Sequence, residues 1–449
     1  MKIKRIIRVM VSSLLMSYVY SVCGQAKIWT LEECIGYAIE HNISVQQLEI
    51  QKSSAEIDLH TSRMSRLPDL NAGIGQNWNF GRTQISSGLY ENQMQSNTSL
   101  SIGTSIPLFS GFRISNEITK NRLELQAAIQ NLEKAKESLA LQVASLFLQA
   151  LFNKEIMKIN EDQLTLSQLQ VDRTKVLVDQ GKVPVSQLYD MEAQVANEQL
   201  VLVQAKNNLK LSLLDLAQNL ELEQTANFDI QAEVGANLVE EYMQVIFSAE
   251  DIFNYATQNK PIIKEQEYRL ESAIRSVKIV KSGYYPTLSL GLGFGTNYFY
   301  LYKSGLINNS FSDQIRNNAS EYINLSLNIP IFDRLSTRNR VKSAKLNIEN
   351  QQLILNNTKK TLYKEIETAY LNAVSAQEKY HASQLAVKAT SEAFQYAKER
   401  YETGKSSVFE FNEAKTKLVK SQSEEIQAKY DYIFRMKILD FYRGTPIKL

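Results

Sequence analysis

The sequence predicts a mainly helical protein that carries four membrane-type β-strands, laid out as a duplicated helix-strand-strand-helix-helix protomer. Three observations predict it. Two pairs of segments alternate apolar with small polar residues, long stretches lack proline and interior glycine, and the same markers recur at the same spacing in both halves of the 449 residues.

The first strand pair comes early. Over residues 70–80, Leu70, Ala72, Ile74, Trp78 and Phe80 share one parity, and Asn71, Gly73, Gly75, Asn77 and Asn79 the other. Over residues 100–108, Leu100, Ile102, Ile106 and Leu108 oppose Ser101, Gly103 and Ser105. Side chains in a strand alternate faces, so this is a hairpin with one apolar side and one small, polar side. A membrane barrel strand reads this way when lipid lies outside and water inside.

The flanking segments are helical. Thr30 as N-cap with Glu33 three residues on forms a capping box, and a helix is expected from Leu31 to Arg66, ended by Pro68. Strands are expected near 70–82 and 96–108, and Pro107 introduces a second helix that opens at Gly111. From there to Gln180 no proline occurs, so the helix would be about 100 Å long. Such a helix needs lateral partners. Leu125, Ile129, Leu132, Ala135 and Leu139 supply a coiled-coil seam. Residues 181–186 (Gly-Lys-Val-Pro-Val-Ser) break it, and a further helix over 187–219 returns, giving a helical hairpin with its tip at that break.

The second half repeats this programme. Ala38 lies 30 residues before Pro68, and Ala256 lies 30 before Pro286; Gly181 follows Pro107 by 74 residues, and Gly404 follows Pro330 by 74. The paired-strand interval alone differs, 39 residues from Pro68 to Pro107 against 44 from Pro286 to Pro330, which a five-residue loop insertion explains. Four coinciding markers argue for duplication. Leu288, Leu290, Leu292, Phe294, Tyr298, Tyr300 and Tyr302 share one face opposite Ser289, Gly291, Gly293 and Gly295. Ile323, Leu325, Leu327, Ile329 and Ile331 oppose Asn324, Ser326 and Asn328. Trp78, Phe80, Tyr298 and Tyr300 lie toward the loop ends, where aromatic girdles meet the membrane interface. The expected organisation is a signal peptide over 1–24, a first repeat over 25–234 and a second over 235–449.

The signal reading rests on Lys2, Lys4, Arg5 and Arg8 ahead of an apolar run over residues 9–22, with cleavage after Gly24 or Ala26. A lipidated Cys23 is disfavoured by the bulk of Val22. The formal charge of +2 becomes −2 once those residues leave, which argues against a nucleic-acid partner. Cys34 then stands as the one remaining cysteine and reads as a small buried helix residue. His41, His60 and His381 lack metal-ligand spacing, and the Gly291 to Gly295 run alternates within a strand instead of cradling a phosphate. Neither catalysis nor a cofactor is indicated.

Four strands cannot close a barrel, and an open edge in lipid leaves backbone groups unpaired. Eight strands would be filled by their own side chains. Three copies supply twelve strands and an aqueous lumen lined by Gly, Ser and Asn, which the long helices would extend as a helical barrel.

The strand exits Ile106-Pro107-Leu108-Phe109-Ser110-Gly111 and Ile329-Pro330-Ile331-Phe332-Asp333-Arg334, with the two hairpin tips, resemble the TolC-like outer-membrane efflux proteins. Residues 400–411 (Arg-Tyr-Glu-Thr-Gly-Lys-Ser-Ser-Val-Phe-Glu-Phe) look like that family's second tip, and residues 429–440 are similar to the ending of members from the Bacteroidetes. The resemblance spans essentially the whole mature chain. It implies a homotrimer with a 12-stranded barrel in the outer membrane, continuous with a long periplasmic helical tunnel. It also implies a periplasmic adaptor and an inner-membrane pump of the resistance-nodulation-division or ABC type, the chain serving as exit duct for efflux or type I secretion. By position relative to Gly404, Glu410 and Glu413 match acidic residues at the periplasmic entrance, and Tyr401 matches a gate position. Where the family prototype closes its tip with an acidic residue and an arginine, this chain has Gln187 and Ser406. The expectation is a gate that opens more readily or is closed by Val183, Val185, Val408 and Phe409. Gly181, Val183, Ser186, Gly404, Ser407 and Val408 are the expected adaptor contacts. A passive outer-membrane porin and a structural coiled-coil envelope protein are the alternatives.

Overall fold

A computed structural model describes residues 28–84, 88–223, 225, 228–231, 247–303 and 307–445. The signal segment, Cys23 and the expected repeat boundary at 234/235 lie outside the described residues. The elements in order are β1 (Ile28–Trp29), α1 (Leu31–His41), α2 (Ile43–Met64), β2 (Asn71–Gln84), β3 (Tyr90–Ser110), α3 (Arg113–Asp179) and α4 (Val185–Asn219). There follow β4 (Asp229–Ile230), α5 (Ala249–Asn259), α6 (Pro261–Lys281), a 3₁₀ turn (Ser282–Tyr284), β5 (Thr287–Leu301), α7 (Phe311–Asn317), β6 (Ser320–Asn328), α8 (Ser336–Glu402) and α9 (Val408–Tyr442). The long helices match in length between halves: α3 and α8 have 67 residues each, α4 and α9 have 35 each.

One correction concerns the single helix expected over 31–66. It is two helices, because Asn42 turns extended and its Oδ1 accepts from the N–H groups of Ser44 (3.0 Å) and Val45 (3.3 Å). A short amide side chain that caps the following turn competes with helix continuation, and the break needs no proline. The capping box at Thr30 forms: Thr30 N–H donates to Glu33 Oε2 at 3.0 Å and Glu33 N–H to Thr30 Oγ1 at 3.3 Å. A second correction concerns the last strand, which ends at Asn328, so Ile329 and Ile331 fall beyond it.

Two compact units draw on both halves. The first comprises residues 28–47, 133–260 and 360–445 among those described. Its buried residues include Cys34, Ala38, Phe147, Leu151, Leu216, Ile252, Ile366, Tyr432 and Ile433. The parallel pair β1–β4 is pinned by Lys154, whose Nζ donates to Asp229 Oδ1 at 2.8 Å and to the Ile230 carbonyl at 3.0 Å.

The second unit comprises residues 48–132 and 261–359. It holds one antiparallel sheet of order β2-β3-β5-β6. The register places Asn71, Gly103, Gly293 and Tyr322 side by side across all four strands. The opposite face stands open, with Ile74 79% and Ile323 80% exposed. Beneath the sheet, Leu59, Ile114 and Ile118 pack together with Leu125.

β6 covers β5 only as far as Gly295, and side-chain amides complete the remaining edge. Gln314 donates to the Phe299 carbonyl and accepts from its N–H, both at 2.9 Å. Asn308 does the same for Leu301, at 3.0 and 2.9 Å, and Asn318 donates to the Asn297 carbonyl at 2.7 Å. An otherwise open edge is thus satisfied locally.

Candidate functional site

Both helical tips are built on the same stop signal. Gly181 (φ 71°) and Gly404 (φ 73°) take the left-handed conformation, where a Cβ would be strained. Around each, the helix end closes with paired bonds: Lys182 N–H to Leu177 O and Gly181 N–H to Val178 O, both 2.8 Å; Lys405 N–H to Arg400 O at 2.8 Å and Gly404 N–H to Tyr401 O at 3.0 Å. This is the Schellman arrangement that satisfies terminal carbonyls. The restarts differ. Ser407 caps α9 by accepting from Glu410 N–H at 3.3 Å, whereas Pro184 precedes α4 and offers no side-chain cap.

Inside the tips, Met191, Val408 and Phe411 form a buried cluster joined by Val171, Phe394 and Tyr401. Tyr401 stacks on Phe411 at 5.0 Å between ring centroids. Val408, expected to face a partner, is therefore inside this cluster. Phe409, by contrast, is 75% exposed, Val185 is exposed, and Val183 and Gln187 are half-buried. Gly181, Ser186, Gly404 and Ser407 are exposed.

Ser406 does not stand open for Gln187: its Oγ donates to Glu410 Oε2 at 2.6 Å, and the same carboxylate oxygen lies 3.7 Å from Arg400. Glu413 pairs with Lys417 at 2.7 Å, one turn along the exposed side of α9. Both expected entrance carboxylates are thus on the surface with a basic neighbour on their own hairpin.

The composition hid one further feature of this unit. Lys415 is buried, and its Nζ donates to Glu198 Oε1 (2.8 Å), the Gln163 carbonyl (3.3 Å) and Ser167 Oγ. It thereby ties α9 to α3 and α4, joining the two hairpins behind their tips. The signal is present as a lysine between Phe411 and Leu418 on the apolar stripe of α9. Elsewhere in the same unit, buried Lys260 lies 3.6 Å over the Phe441 ring and 3.2 Å from Glu137. Burial lowers the Lys260 ammonium and raises the Glu137 carboxyl, each outweighing the attraction of the other.

Among the described residues no group of histidine, cysteine, aspartate or glutamate side chains could hold a metal ion, and no helix is long and apolar enough to cross a membrane. The strands are the membrane-type elements.

Residues 34–220 and 252–440 match the outer membrane efflux protein family. The chain belongs to that family. Relatives of this outer membrane efflux protein include outer membrane protein TolC of Escherichia coli K12, 22% identical over 88% of this chain and 79% of that one. The probable efflux pump outer membrane protein TtgC of Pseudomonas putida is 22% identical over 87% and 78%. Among solved structures, CusC superposes with a TM-score of 0.77 at 17% identity over 96% of each chain. The Campylobacter jejuni CmeC outer membrane channel gives 0.76 at 16% identity, over 92% of this chain and 85% of that one. The fold is that of these channels, the protein resides in the outer membrane with its helices as a large periplasmic portion, and its work is efflux. The family is one of transport ducts and not of enzymes.

Proposed function

We propose that this outer membrane efflux protein works as a homotrimeric exit duct. Its strands close a twelve-stranded barrel, and its tips dock a periplasmic adaptor fed by an inner-membrane pump of the resistance-nodulation-division or ABC type. The observation that carries the reading is the four-stranded sheet: apolar on one face, Gly, Ser and Asn on the other, with β2 and β6 as edges that no strand of the same chain covers among the described residues. Such edges are untenable in lipid, so further copies must pair with them. Exposed apolar side chains along α4, among them Leu200, Val203 and Leu211, support lateral association as well. The equal helix lengths support two tandem repeats, over 25–234 and 235–449.

In this reading the tips form the periplasmic gate. Three-fold symmetry sets Glu410 and Glu413 into carboxylate rings that favour cations, and the Tyr401–Phe411 stack stiffens the wall behind them. Ser406 and Arg400 hold Glu410 on its own hairpin. Gly181, Val183, Ser186, Gly404 and Ser407 present turns and small side chains for interlocking with adaptor hairpins, while Val408 shapes that surface from beneath. The cargo class, drug or polypeptide, belongs to the pump.

The test is planar-bilayer conductance of the detergent-extracted protein with oligomer mass measured on the same sample. A trimer of small conductance that rises in Gln187→Ala, Ser406→Ala or Glu410→Gln supports a gated duct. A large conductance unchanged by these substitutions marks a passive porin, and a protein that never inserts refutes the barrel.

A further inference from the structure

We propose that Tyr322 sets the bore of the strand barrel, its ring stowed flat in a recess that two glycines create. This rests on the duct reading, which makes the Gly, Ser and Asn face the lumen. Tyr322 stands on that face, since it lies directly opposite Gly293 on β5, which lies opposite Gly103 on β3. Residues directly opposite in an antiparallel pair project to the same side.

A Cβ built on Gly293 would come within 2.3 Å of Tyr322 Cζ and 2.5 Å of Cε1 and Oη; one on Gly103 would lie 3.4 Å from Oη. The ring therefore covers Gly293 and reaches the next strand, and at 55% exposure its other face is open. Carbon atoms rest about 3.5–4.0 Å apart. A methyl at Gly293 is thus incompatible with the ring where it lies, and the atoms it meets are the far end of a side chain that is free to swing.

The alternative position is out into the passage. On that face the neighbours are short: Ser101, Ser105, Gly291, Gly295, Asn324 and Ser326. Tyr322 is the bulkiest side chain in this stretch of wall, so where its ring lies decides how wide the passage is there. Three copies would act at one level. Gly293 is then the residue that keeps the bore open, and an aromatic face at that level meets any cargo that passes.

The experiment reads passage from outside and so is independent of the periplasmic tips. Ser326→Cys places a thiol four residues along β6 on the same face, nearer the helical end. Intact cells are treated with a bulky sulfonated maleimide, labelling is followed by mass, and the unsubstituted protein gives the background of buried Cys34. Adding Gly293→Ala is expected to slow labelling of Ser326→Cys several-fold, and adding Tyr322→Ala to that pair to restore or exceed the starting rate. Tyr322→Trp, which leaves Gly293 in place, should slow it as well, and Gly103→Ala should not. Each variant is first shown to assemble to the unsubstituted protein's oligomer mass. If Gly293→Ala and Tyr322→Trp, both assembled, leave the rate unchanged, the role of Tyr322 is overturned while the duct stands. If Ser326→Cys labels no faster than Leu327→Cys on the apolar face, the duct reading itself is overturned.

Discussion

Replacing Lys415 with methionine keeps the stem and removes the charge that joins the hairpins. The side chains of Lys415 and Glu198 are 3% and 15% exposed, so the pair is desolvated and each partner depends on the other. Glu198 Oε1 would keep only the Gln194 amide, at 2.8 Å, and its Oε2 has no hydrogen-bond partner to compensate. Ser167 Oγ and the Gln163 carbonyl would lose the same donor. Breaking a buried pair from one side costs about 3–5 kcal/mol, and the residual exposure of Glu198 puts this case near 3 kcal/mol. For a unit of this size that corresponds to a fall of roughly 6–12 °C in the midpoint of thermal unfolding. Circular dichroism at a helical wavelength, on the detergent-solubilised oligomer, measures it. The paired replacement Lys415→Met with Glu198→Leu should recover most of the loss, because apolar groups of similar volume replace such pairs at little cost. A single variant within about 1 °C of the parent, or a double variant no more stable than the single, would refute the reasoning.

Other perturbations probe separate links. Glu137→Gln removes a carboxyl whose folded pKa burial has raised, so its contribution to stability is present in acid and is lost as pH rises through that raised value. The melting midpoint of the parent, relative to Glu137→Gln, should therefore decline from about pH 4 upward. Arg334 (φ 55°) occupies the left-handed region at the strand-to-helix joint where the first half has Gly111 (φ 63°). Arg334→Gly should relieve roughly 1–2 kcal/mol of strain, less about 0.4–1 kcal/mol of added chain entropy, and raise the denaturant midpoint slightly. The reverse change, Gly111→Ala, should lower it, since its Cβ would lie 2.8 Å from the Ser282 carbonyl oxygen and 3.0 Å from Tyr285 Cβ. Phe411→Ala empties the tip cluster at a cost of about 3–5 kcal/mol and, if the proposed gate lies at the tips, should raise single-channel conductance by loosening the wall behind it.

What the sequence made legible was whatever is periodic or repeated. Strand alternation, helix extent, the capping box at Thr30 and both glycine stops follow from one residue's own chemistry and its spacing. The break at Asn42 was missed because an interior asparagine caps or stays helical depending on what its side chain meets. Ser406 was set beside Gln187 because the two stand where the family prototype closes its tip with an acidic residue and an arginine. The fold instead gives it Glu410, four residues on in the first turn of α9, which Ser406 itself precedes. Lys415 was invisible for a different reason: a lysine looks solvated until two helices from distant parts of the chain close over it. Tyr322 carried no pattern of its own in the sequence, and only the register sets it against Gly293.

The one interval that differs between the halves lies where helical geometry tolerates it. Each residue added to an α-helix turns everything beyond it by about 100° and advances it by 1.5 Å. A single insertion in α3 or α8 would rotate an apolar stripe away from its partners and shift one tip relative to the other. Lengths of 67 and 35 residues in both halves are what a shared packing register demands. A strand loop carries no such phase. The five additional residues lie between Pro286 and Pro330, in the segment that holds α7 and returns the amides of Asn308, Gln314 and Asn318 to the uncovered end of β5. The longer loop does for β5 what longer strand pairing does for β2, whose ladder with β3 runs on to Gln84. The two halves therefore differ in how the far end of a hairpin satisfies its backbone, and agree wherever a change of length would turn a helix.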